Sequence, residues 1–100
     1  MRQYKFKRGY KPTNDRLEEM MEVHFDEYRK DGDIYYAKFG AAEAKLWIEN
    51  KKLYVETKTN TNVPGDVAAM TVRTYNIFLE DLTGYTAKQR QKMMKKEVED

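Results

Sequence analysis

The chain contains no cysteine, no serine and a single histidine, and these absences remove several kinds of chemistry at once. Without cysteine there is no disulfide, no thiol nucleophile and no zinc–thiolate site. Without serine there is no serine triad. The five glycines are scattered, so no glycine-rich phosphate loop is present, and Pro64-Gly65-Asp66 reads only as a helix entrance. No apolar run approaches the roughly 20 residues of a membrane span, and Met1-Arg2-Gln3-Tyr4-Lys5 lacks the apolar stretch of a signal peptide. A soluble, cytoplasmic protein is expected, with no membrane partner.

The groups that remain do not assemble into a reaction centre. His24 falls on the apolar stripe of a helix with Met20, Met21 and Tyr28, where a hydrogen-bonded core or boundary histidine is expected rather than a base. Asp31-Gly32-Asp33 lacks the further ligands of a calcium loop and reads as a turn. Glu18/Glu22 and Glu22/Asp26 share a helix face pointing away from the core, a solvated face. No catalytic residue, metal ligand or cofactor is expected, and the chain does not read as an enzyme.

What is abundant is charge of both signs. Charged residues make up 36% of the 100, yet the net charge is only +2, too small to imply a polyanion partner by itself. The excess is uneven. Residues 1–11 carry five basic groups and no acid, and residues 86–100 carry five basic groups against three acids, so the basic ends flank a neutral-to-acidic middle.

Hydrophobic spacing organises the chain around residues 66–84. Val67, Ala68, Thr71, Val72, Tyr75, Phe78, Leu79 and Leu82 fall within an arc of about 140° on a helix, a face wide enough to need a sheet as partner. Asp66 is the expected N-cap and Gly84 the left-handed stop. Upstream, Gln3–Lys7 alternates like a short strand, with Lys5 and Lys7 on one side and Tyr4 and Phe6 on the other. Thr13, Asn14 or Asp15 caps a helix expected to run to about Arg29. Thr86-Ala87-Lys88-Gln89 is a capping-box pattern opening a last, basic helix.

The middle can be tested by charge. With turns at Gly40-Ala41 and Asn50-Lys51, Lys38 faces Glu43, Glu49 faces Lys52 and Lys45 faces Glu56. The same registers put Ala37 opposite Ala44, Tyr35 opposite Leu46, Leu46 opposite Val55 and Ile48 opposite Leu53. A slip of one residue destroys every match, so a meander of 34–39, 42–49 and 52–59 is expected. Thr57–Val63 either prolongs its last strand or forms a loop. The predicted order is β-α-β-β-β-α-α, an α+β domain over residues 1–85 with a mainly antiparallel sheet and its helices on one face. Residues 86–100 form a basic C-terminal helix that packs on it or frays.

Strand, helix, meander and long helix in this order resemble the helix-grip arrangement of the TATA-binding-protein-like folds, which usually carry one strand more. A second resemblance is local. Asn76-x-Phe78-Leu79, Thr83-Gly84, Ala87-Lys88-x-Arg90, Val98-Glu99-Asp100 and the opening Tyr4-Lys5-Phe6-Lys7-Arg8-Gly9 resemble a family of short archaeal proteins of unknown function. That resemblance implies an archaeal, cytoplasmic origin and supplies no functional residues.

Two surfaces are candidates. On the outer sheet face Ile34, Trp47 and Tyr54 form one row, with Tyr36 and Lys45 beside them and Lys5 and Lys7 expected on the same side. Such a face suits a protein-interaction or dimerisation module. The alternative is a single-stranded nucleic-acid binder using this face and the basic termini. On the back of the main helix, Met70 and Ile77 lie seven residues apart, either holding the C-terminal helix through Met93, Met94 or Val98 or forming a homodimer seam.

Overall fold

The computed structural model describes residues 2–99, with side chains described through residue 93. Five strands, Arg2–Lys5 (β1), Glu27–Asp31 (β2), Ile34–Phe39 (β3), Ala42–Glu49 (β4) and Lys52–Thr59 (β5), form one sheet in the order β1-β5-β4-β3-β2. Every neighbouring pair is antiparallel. Helices Asn14–His24 (α1) and Gly65–Thr83 (α2) lie on one side, and Ala87–Glu99 (α3) follows. The fold is α+β.

Both hairpins have the register that charge matching demands. Lys38 faces Glu43, Lys45 faces Glu56 and Glu49 faces Lys52. Asn50 and Lys51 both take positive φ (52° and 61°), the left-handed pair a type I′ turn requires. Gly40 has φ 56°, and a Cβ there would lie 2.2 Å from Thr71 Oγ1, so the turn and α2 touch where only glycine fits. Thr71 Oγ1 accepts from Ala41 N and donates to Val67 O, which satisfies a buried hydroxyl and ties the turn to the helix.

Alternation then sorts the faces. Tyr4, Tyr35, Ala37, Phe39, Ala42, Ala44, Leu46, Leu53 and Val55 are buried under the helices with Leu17, Met21, Phe25, Phe78, Leu79 and Leu82. The alanines of β3 and β4 let α2 approach, and Phe78 packs at a tilt of 35° on Phe25, which stacks on Phe39. Each fully buried large side chain contributes about 1.5–3 kcal/mol of transfer free energy.

The sheet has one strand more than sequence spacing indicates. The first helix, expected to reach Arg29, ends at His24, with Phe25 extended and its N–H bonded to Met21 O. Residues 27–31 instead pair with β3, Glu27 opposite Lys38 and Asp31 opposite Ile34, around the Gly32-Asp33 turn. The edge of β3 offers a ladder of backbone partners that another helical turn could not supply, and that outweighs a weak local preference. Thr57–Val63 splits, with β5 ending at Thr59 and a loop following in which Asn60 Oδ1 accepts from Asn62 N.

Three smaller expectations are also corrected. The N-cap of α2 is Pro64, without a side-chain bond, and Asp66 sits in the first turn, where its charge still suits the helix dipole. Val72, placed in the core arc, is 60% exposed because the sheet covers less of the arc than the spacing allows. Glu18 and Glu22 are not purely solvated. They accept hydrogen bonds from Tyr35 and Tyr28, which β3 and the unforeseen β2 bring beneath α1. Burial, with the Glu18 contact, raises the Tyr35 pKa, and the bond to Glu22 raises that of Tyr28.

The opening of α3 is a reciprocal capping box. Thr86 N donates to Gln89 Oε1, and Gln89 N donates to Thr86 Oγ1. One turn on, Arg90 is buried and donates to Tyr85 O and to Asn76 Oδ1 of α2. Its burial lowers its pKa from the ordinary arginine value. Arg90→Met should therefore destabilise the protein by about 1–3 kcal/mol, the cost of leaving buried acceptors unpaired. An unchanged denaturant midpoint would show that the guanidinium contributes nothing to the fold.

Candidate functional site

Among the described residues the outer face of the sheet bears no helix, because α1 and α2 both lie on the other side and Arg90 ties the start of α3 to Asn76 of α2. Antiparallel register arranges its side chains in rows running across the strands. Nearest the Gly40 turn, Glu27, Lys38, Glu43 and Lys58 stand side by side on β2, β3, β4 and β5. The next row is Arg29, Tyr36, Lys45 and Glu56. Beyond it come Asp31 and Ile34, then Trp47, Tyr54 and Gln3. The β3–β4 ladder stops at Tyr35 and Leu46, so the expected Ile34–Trp47 pairing lies one step past its end. Last are Glu49, Lys52 and Lys5.

The aromatic groups in these rows are engaged with one another. The Trp47 and Tyr54 rings are parallel within 4° at a centroid distance of 5.6 Å. The Lys45 ammonium lies 5.6 Å from the Trp47 ring centre, and the Arg29 guanidinium 4.7 Å from that of Tyr36. Lys38 sits between Glu27 at 3.6 Å and Glu43 at 3.8 Å. All these groups are partly or fully exposed, so each ion pair is worth at most about 1 kcal/mol and is free to exchange partners. A shallow trough of about 640 Å³ crosses β2 to β5 along the first two rows.

Sequence reasoning therefore locates Ile34, Tyr36, Lys45, Trp47, Tyr54 and Lys5 on one face. Lys7 is not brought there. The first strand ends at Lys5, and Lys7 N donates to Thr83 O at the end of α2, which draws the chain off the sheet. Glu27, Arg29 and Lys58 also stand on this face, and the sequence carries a signal for them. Charge alternates at i and i+2 in Glu27-x-Arg29, Glu43-x-Lys45 and Glu56-x-Lys58, which on a strand means alternating charge on one face.

Elsewhere, Met70 is 55% and Ile77 41% exposed on α2. Met94 and Val98, suggested as their cover, lie outside the described side chains. His24 Nε2 is 2.7 Å from Asp81 Oδ2, with the Phe78 ring nearly perpendicular to the imidazole, and Arg16 donates to Asp81 O. The pair ties α1 to α2. Among the described residues no group of three or more His, Asp or Glu side chains is placed to hold a metal ion, and no helix is long and apolar enough to cross a membrane.

Comparison with known proteins agrees with the resemblance seen in the sequence. A family described as a domain of unknown function, DUF5611, matches residues 1–96. The chain is similar to the NMR solution structure of the hypothetical protein TA0095 from the archaeon Thermoplasma acidophilum, with a TM-score of 0.69 and 34% identity. That match covers 94% of this chain and 97% of the other. No curated protein matches.

Proposed function

The chain belongs to the DUF5611 family, and from its geometry we propose that it is a cytoplasmic, non-catalytic interaction module that self-associates through the outer face of its sheet. The observation that carries this reading is the sign balance of an uncovered face. Glu27, Asp31, Glu43, Glu49 and Glu56 stand among Arg29, Lys38, Lys45, Lys52, Lys58 and Lys5, around the Trp47–Tyr54 stack. A phosphate backbone would meet a carboxylate beside nearly every cation. A protein surface of mixed charge with an aromatic centre meets no such obstacle.

Molar mass measured by light scattering from about 20 µM to about 1 mM tests this, since weak association in that range corresponds to about 4–6 kcal/mol. The mass should rise from 12.0 kDa toward twice that value, and Trp47→Ala should suppress the rise. A monomer throughout would overturn the reading. So would quenching of Trp47 by a single-stranded oligonucleotide, with log K falling against log salt at a slope near −3, the value for about four phosphate contacts. That second result would establish the nucleic-acid alternative.

A further inference from the structure

Resting on that reading, we infer that the two copies meet face to face about a two-fold axis parallel to the strands, midway between β3 and β4. The rows themselves select this symmetry. A two-fold axis in that position lays each row on the same row of the partner, reversed, so that β2 covers the partner's β5 and β3 covers the partner's β4. A row that is acid, base, acid, base then meets its own complement.

Glu27 comes over the partner's Lys58, and Lys38 over the partner's Glu43. In the second row Arg29 comes over the partner's Glu56, and the Tyr36 ring over the ammonium of the partner's Lys45. In the third, Asp31 reaches the hydroxyl of the partner's Tyr54, and Ile34 covers the indole of the partner's Trp47. No like charges are opposed in these three rows. Each contact occurs twice by symmetry, and the ion pairs recruit groups whose present bonds are exposed and exchangeable.

The competing in-plane axis runs across the strands. Placed between the first two rows, it also matches charges, Glu43 meeting the partner's Lys45. It slides the third row past the edge of the contact, however, and leaves Ile34 and Trp47 uncovered. Burial of that apolar row favours the axis along the strands. Aligned packing of two sheets also suits this arrangement, their strands crossing at about 30° or less. Four strands spaced by about 4.8 Å and three rows about 7 Å apart give a patch of about 400 Å² a side, below the size of stable complexes, so a weak, reversible dimer is expected.

Charge reversal tests the arrangement in the full chain. Lys38→Glu alone opposes two carboxylate pairs across the axis, and Glu43→Lys alone opposes two ammonium pairs. Each should weaken the dimer by about tenfold or more while leaving the melting temperature within a few degrees of wild type, since both sites are exposed. Mixed one to one, the variants should form a heterodimer of near wild-type affinity, because the acidic variant then faces the basic one at both positions. The charges within each variant remain mismatched, so recovery on mixing can only come from contacts between copies. If wild type dimerises but the mixture stays monomeric, the axis assigned here is wrong. Recovery only on mixing Glu43→Lys with Lys45→Glu would place the axis across the strands. If wild type itself never dimerises, the proposed function fails first.

Discussion

Phe78→Ala should lower the stability of the fold by about 3–5 kcal/mol, the range for removing a fully buried phenyl ring. Phe78 is wholly inaccessible, lies 4.3 Å by ring centroid from Phe25 and meets the His24 imidazole nearly at a right angle. Phe25 is in turn stacked on Phe39 at 4.4 Å, so the ring from α2 completes an aromatic column joining the α1–β2 junction to β3. Deleting it leaves a cavity that Phe25, held from another element, can fill only in part. For a domain of this length, 1 kcal/mol corresponds to about 4–8 °C in midpoint, so a drop of at least about 12 °C is expected by calorimetry. A shift of a degree or two would mean that α2 is not the helix that closes the core.

Leu46→Ala should cost about 2–5 kcal/mol, whereas Glu49→Ala, three residues along the same strand, should cost less than about 1. Leu46 lies between Tyr35 of β3 and Val55 of β5 and is fully buried, while Glu49 is exposed on the opposite face. The comparison isolates the face assignment, because both residues share one strand and one ladder. An unchanged midpoint for Leu46→Ala would mean that the inner and outer faces are exchanged, and with them every residue of the proposed interface.

The parts of the fold legible in the sequence are those where two independent signals coincide. At Lys38–Glu43, Lys45–Glu56 and Glu49–Lys52, charge pairing and apolar alternation specify one register, and the ladders follow it. The Thr86–Gln89 box and the stop at Gly84 (φ 85°) are local chemistry and are equally readable. Strand β2 was hidden because Glu27–Asp31 carries one large apolar residue, Tyr28, which also continues the helical stripe of Leu17, Met21 and Phe25. Only the open edge of β3 decides between those two periods, and that edge is a property of the folded sheet.

The same limit governs the site. Trp47, Tyr54, Lys45 and Tyr36 follow from alternation within the meander, but Arg29 and Glu27 join the face only once β2 exists. Arg90 shows the reverse case, a cation on a basic helix that composition places in water and that Asn76 and the Tyr85 carbonyl draw into the interior. No pattern in residues 86–100 distinguishes it from Lys88 or Lys92.

Self-association through the outer sheet face, as proposed above, would change the environment of the backbone amides there. Backbone amide spectra recorded from about 20 µM to about 1 mM test it residue by residue. Concentration-dependent shifts are expected, confined to β2, β3, β4 and β5 and centred on Tyr36, Lys45 and Trp47, with α2 unaffected. Spectra that do not change up to the highest concentration, or shifts centred on Met70 and Ile77, would contradict it.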